Sequence, residues 1–206
     1  MTLVVARVSG RRVAVASDTQ LTEHDVRLPI HKGVVKTYIL PGGISVSFSN
    51  SPELAVMDFQ KFALAYPNGT NFTNTISFFE KASHKSGNDY LIAFARLAKL
   101  AKIADGKRIY SASKTQWIGD NAAYVRFREY EEKVRKGFEA GRAINAVLFA
   151  DEIENSPASA LYSAMRHVIA DSQLTTVGGF AYVLSDRIET FRQSAYCDML
   201  FDWPTD

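Results

Sequence analysis

The sequence predicts an α+β fold of four layers, αββα, in which two antiparallel sheets pack face to face and helices cover their outer faces. Three observations lead there. Strand-like and helix-like segments come in blocks, in the order strands, two helices, strands, helices, strands. The first two strand candidates, Leu3 to Val8 and Val13 to Ala16, are nearly continuously apolar, as strands covered on both faces are. Helices laid outside two stacked sheets would provide that cover. A chain of 206 residues that is 47% hydrophobic can bury one substantial core, so residues 1–206 are expected to form a single domain.

The elements follow in order. The opening strands meet at the basic turn Ser9-Gly10-Arg11-Arg12, and a polar stretch runs from Thr19 to Gly33. Val34 to Leu40 and Ile44 to Phe48 make a second hairpin around Pro41-Gly42-Gly43, whose fixed and permissive backbones favour a tight reversal. Ser51-Pro52-Glu53 reads as a helix start, and Val56, Phe59, Ala63 and Tyr66 recur at helical spacing behind it. A second helix is expected over Asn74 to Lys85. Residues 90–120 have two readings, since Leu91, Ala95, Ala98 and Lys102 suit a helix while Asp105-Gly106 is a hairpin turn. We take the extended one, with strands at 90–95, 99–103, 107–112 and 115–118. Beyond Gly119, one helix carries the stripe Phe127, Tyr130, Val134, Phe138 and another Leu161, Ala164, Met165, Val168, Ile169. Strands at Val177 to Leu184 and about Arg187 to Arg192 close the fold before an acidic tail at Asp202 to Asp206.

Composition excludes several classes. The 24 basic and 22 acidic side chains leave a net charge of +2 without long blocks, so nothing points to nucleic acid. Cys197 is the only cysteine, which rules out an internal disulfide framework and suits a reducing compartment. Arg7, Arg11 and Arg12 interrupt every early apolar run before it could act as a signal peptide or membrane span. A cytoplasmic protein is expected, and the sequons Asn68-Gly69-Thr70 and Asn71-Phe72-Thr73 read as polar loop. His24, His31, His84 and His167 lack metal-ligand spacing, and neither Gly-x-Ser-x-Gly nor a phosphate-cradling glycine loop occurs. No cofactor is called for.

One residue invites chemistry. Thr2 follows Met1 directly, and removal of Met1 would give a free threonine with a hydroxyl nucleophile and an amine base on one residue. Such an amine, with an ordinary pKa of roughly 7.7 to 8.0, is partly neutral near physiological pH and able to take the hydroxyl proton.

The surrounding residues resemble the proteasome β-subunit and HslV family of N-terminal nucleophile hydrolases. That family opens with Thr, a hydrophobic hairpin, Ala-x-Asp-x-x-x-Thr and a strand carrying Lys. Here the matching pieces are Thr2, Ala16-Ser17-Asp18-Thr19-Gln20-Leu21-Thr22, and Lys32-Gly33-Val34-Val35-Lys36, with sixteen residues from Thr2 to Asp18. Trp117-Ile118-Gly119-Asp120-Asn121 resembles the family's strand and Gly-Ser-Gly element, and Thr176-Val177-Gly178-Gly179 the loop before its last hairpin. The resemblance implies that Thr2 attacks an amide carbonyl, that Lys36 lowers the cost of the alkoxide, and that Asp18 orients Lys36. It implies the backbone N–H of Asn50 as oxyanion donor. Asp120, Asp171 and Thr176 would support the nucleophile, though each is equally a cap or turn residue.

The chain departs from the pattern in three places. Asp120 replaces the family's serine, Asn50 its glycine, and Asp171 lies seven residues before Gly178, where a shorter interval is expected. A substrate pocket would be lined by Thr22, Ser49, Pro52 and Glu53, with Glu53 favouring basic side chains. The implied function is a self-compartmentalising peptidase in a homo-oligomeric ring that acts on peptide or protein substrates and is fed by an ATP-dependent unfoldase. The alternatives are a noncatalytic scaffold subunit of the same fold, which retention of Met1 would favour, and a small-molecule amidase using the same nucleophile.

Overall fold

A computed structural model describes residues 2–20, 22, 23, 26, 27, 33–145, 157–187 and 190–193. The first sheet contains β1 (Leu3–Ser9), β2 (Arg12–Ser17), β10 (Thr115–Gly119), β11 (Tyr182–Arg187) and β12 (Thr190–Gln193), in the order β10-β1-β2-β11-β12. The second contains β5 (Thr37–Leu40), β6 (Ile44–Ser49), β7 (Asp89–Phe94), β8 (Lys99–Ala104) and β9 (Lys107–Ile109), in sequence order. All described pairings are antiparallel. A two-stranded ribbon, β3 (Thr22–Glu23) and β4 (Val26–Arg27), stands apart from both.

The alternation of side chains along β1 and β2 explains their unbroken apolar character. Leu3, Val5, Ala14 and Ala16 face one way and pack with α3 (Asn121–Asn145) and α4 (Pro157–Ala170). Val4, Ala6, Val13 and Val15 turn the other way and meet Leu91, Ala93 and Ala95 of the second sheet. The outer face of the second sheet is covered by α1 (Pro52–Ala65) and α2 (Phe72–Ser86), through Phe48, Phe59, Phe62, Phe79, Tyr90 and Phe94. The result is the expected αββα sandwich, with each sheet buried on both faces.

Several boundaries differ from the sequence reading for local reasons. The expected strand from Val34 begins only at Thr37, because the Val34 N–H bonds the Thr19 carbonyl at 2.9 Å rather than joining a ladder. The expected strand at 107–112 ends at Ile109: the Ser111 and Ser113 hydroxyls accept the N–H groups of Ser113 and Thr115, each at 3.1 Å, and hold the segment in local turns. The expected strand at Val177 starts at Tyr182, since the Gly178 carbonyl is taken by the Thr19 and Gln20 N–H groups and Gly179 has φ +73°. The helix expected from Asn74 begins at Phe72, capped by the Asn71 side chain on the Asn74 N–H at 2.9 Å. Met1, His24, His31, Cys197, the acidic tail, residues 188 and 189 of the last hairpin, and the side chains of Thr22 and Phe138 lie outside the described residues. Among the described residues, no helix is long and apolar enough to cross a membrane.

Candidate active site

The pairing of β1 with both β2 and β10 builds the site, because it brings Thr2 beside the C-terminal ends of two strands. Val4 lies opposite Ser17 and Leu3 opposite Gly119, so the next residues, Asp18 and Asp120, flank Thr2 from either side. The Thr2–Leu3 peptide is then held at both ends. Its carbonyl accepts the Asp120 N–H at 2.7 Å, and its N–H donates to Asp18 Oδ1 at 3.0 Å. Gly119 leaves room for this approach: with φ +102°, it would place a Cβ 1.8 Å from the Thr2 carbonyl oxygen.

Asp18 is the hub. Both of its oxygens lie 2.9 Å from Lys36 Nζ, and Oδ2 also accepts the Gly178 N–H at 3.4 Å. Lys36 completes its donors on the Gln20 carbonyl at 2.6 Å. Asp18 is 0% and Lys36 2% exposed. Burial pushes the Lys36 ammonium below its ordinary pKa, against the attraction of Asp18. Burial likewise pushes the Asp18 carboxyl upward, against Lys36 and the two amide donors. The fold thus encloses a lysine whose proton burial makes easier to lose, and Asp18 links it to the N–H of Leu3, the residue after Thr2.

A second group joins the other side of Thr2. Asp120 Oδ1 caps α3 by accepting the Ala122 and Ala123 N–H groups at 2.7 and 3.2 Å, while the Thr176 hydroxyl donates to Oδ2. Burial acts to raise the Asp120 carboxyl, but the Thr176 hydroxyl and the two amides outweigh it and hold the group below its ordinary value. Thr2, Asp18, Lys36, Asp120 and Thr176 are therefore linked in one hydrogen-bonded cluster.

Asp171 is not part of that cluster. At the end of α4 it accepts from Tyr130 OH at 3.2 Å and the Gln173 N–H at 3.0 Å, and lies 3.7 Å from Arg126 Nε. These contacts join α3 to α4. Asn50 closes β6 with φ +82°, a backbone conformation that glycine adopts freely and asparagine more readily than other residues. Ser49 is buried, whereas Glu53 is exposed and accepts the Ser51 hydroxyl at 3.0 Å beside the α1 cap. Gly119 and Gly178 also belong to the site, through backbone and not side chain, and their signal in the sequence is their place at strand and loop ends beside Asp120 and Thr176. Among the described residues, no group of three histidine, cysteine or acidic side chains could hold a metal.

No protein-family model and no curated protein matches the chain. Its fold is similar to the solved structure of a Gly-1 mutant of Anbu from Hyphomicrobium sp. strain MC1, with a TM-score of 0.62 and 12% sequence identity over 94% of this chain and 85% of that one. The fold is proteasome-like.

Proposed function

We propose that the chain is a threonine-dependent amide hydrolase of the peptidase class, active when Thr2 is its first residue. The observation that carries this reading is the grip of the buried Lys36–Asp18 pair on the amide that follows Thr2. In the proposed reaction the Thr2 amine takes the hydroxyl proton as Oγ1 attacks a substrate carbonyl. The Asn50 N–H receives the developing oxyanion, and the leaving amine takes the proton back. Water then hydrolyses the Thr2 ester and restores the hydroxyl. Lys36 contributes positive charge, and Asp120 with Thr176 fixes the backbone of the nucleophile. Assembly into a homo-oligomeric ring in the cytoplasm, fed by an ATP-dependent unfoldase, belongs to the same proposal.

One observation favours the scaffold reading instead: Thr2 is only 4% exposed. Intact-mass measurement of natively expressed protein, together with turnover of fluorogenic peptides, separates the two. The hydrolase reading expects loss of Met1 and turnover that Thr2→Ala abolishes. Full retention of Met1 in an active sample, or equal turnover by Thr2→Ala, defeats it.

A further inference from the structure

The loop between β6 and α1 is stitched to the loop between α2 and β7 by side chains that the proposed reaction does not itself use. Asn88 is 0% exposed and grips both backbone groups of Ser51: its Oδ1 accepts the Ser51 N–H at 2.8 Å and its Nδ2 donates to the Ser51 carbonyl at 3.0 Å. Asn50 Nδ2 donates to the Gly87 carbonyl at 2.8 Å. The other side of the stitch is firm as well. Gly87 caps α2 in the left-handed conformation with its N–H on the Ser83 carbonyl at 2.8 Å, and the Asn88 N–H bonds Ser86 Oγ at 3.2 Å.

We infer that Asn88 is a positioning residue for the backbone donor at Asn50. Asparagine is among the few residues with a side chain that adopt a positive φ such as the +82° at Asn50, and here neighbouring groups hold it there. Asn88 and Gly87 supply that hold. Because Asn88 consumes the Ser51 N–H, the Asn50 N–H is left as the donor this loop can offer, and among the described residues it has no hydrogen-bond partner. An oxyanion donor works only where it is fixed in advance at the site of developing charge. This inference rests on the hydrolase reading above.

The test uses full-length protein with Thr2 exposed, verified by mass, and compares wild type with Asn88→Ala and Asn50→Gly. Asn50→Gly keeps the N–H and the left-handed backbone but loses the tether to Gly87. For Asn88→Ala we expect kcat on a fluorogenic peptide to fall about 10- to 100-fold, below the ~100- to 1,000-fold seen when an oxyanion donor is removed outright. KM should change less than about twofold, and affinity for a peptide aldehyde, which forms a tetrahedral adduct, should fall in parallel with kcat. Asn50→Gly should show the same pattern at a few-fold, and decides the matter if Asn88→Ala does not fold. Wild-type turnover with both variants unchanged, or a rise in KM at constant kcat, overturns the positioning role alone. Absence of wild-type turnover overturns the hydrolase reading and this inference with it.

Discussion

Two buried regions of this molecule solve opposite problems. Outside the second sheet, Phe59 lies against Phe48, Phe79 and Tyr90 with ring centroids 6.0 to 6.2 Å apart, and Phe62 stacks on Phe79 at 5.3 Å. Such rings leave water favourably, and their edge-to-face contacts add to that gain. At the end of the first sheet, Lys36 and Asp18 are equally buried but carry opposite charges. Removing both from water costs more than a well-packed apolar pair of similar volume would, even after their mutual attraction is counted. The aromatic layer accounts for itself through stability. The ion pair does not, and its location beside Thr2 is what the proposed chemistry explains.

The sharpest way to break that contrast is to discharge the pair in two steps. Lys36→Met alone leaves Asp18 buried without its cation and is expected to cost about 3–5 kcal/mol, together with all peptide turnover. Adding Asp18→Asn retains an acceptor for the Leu3 N–H and should recover at least half of the lost stability while turnover stays absent. Urea denaturation and a fluorogenic peptide assay report the two properties separately. Turnover by the double variant would mean that the pair serves the fold alone.

The reverse experiment belongs in the aromatic layer. Phe62 is fully buried, so Phe62→Ala should cost about 3 kcal/mol by lost transfer energy and a residual cavity. At a temperature where the variant is folded, kcat/KM should match wild type. A large loss of kcat with the fold intact would show that the two regions are coupled.

The sequence made these regions legible to different degrees. Period and patterning placed the sheets and helices, because Leu3 to Ala16 could be so apolar only if both faces were covered. Thr2, Asp18 and Lys36 were legible as a joint spacing, since antiparallel pairing converts that spacing into neighbourhood. Asp171 was harder: the bond that holds it comes from Tyr130, 41 residues earlier, and no local pattern carries such a contact. The strand expected from Val177 to Leu184 starts only at Tyr182, because Val177 and the apolar residues after Phe180 look extended while the carbonyl of Gly178 is claimed by residues 19 and 20. Asn88 carries no sequence signal for its role, since its partner Ser51 is 37 residues away.

The smallest expected effect lies at the edge of the charged region, and its pH dependence gives it a definite sign. The Asp120 carboxyl is held below its ordinary value of 3.8 by the Thr176 hydroxyl and the first amides of α3. The folded state therefore keeps the group ionised to lower pH than the unfolded state does. Its contribution is fully present above the ordinary value and is lost as pH falls through the folded one. Asp120→Asn keeps an oxygen for the α3 cap but removes the charge, so wild type should exceed it by about 0.5 kcal/mol near neutral pH, the scale of a charge at a helix N-terminus. That difference should shrink once the pH drops below 3.8. Thermal melts of both proteins across the acid range measure it, and a difference that grows on acidification would mean that the contacts of Asp120 favour its protonated form.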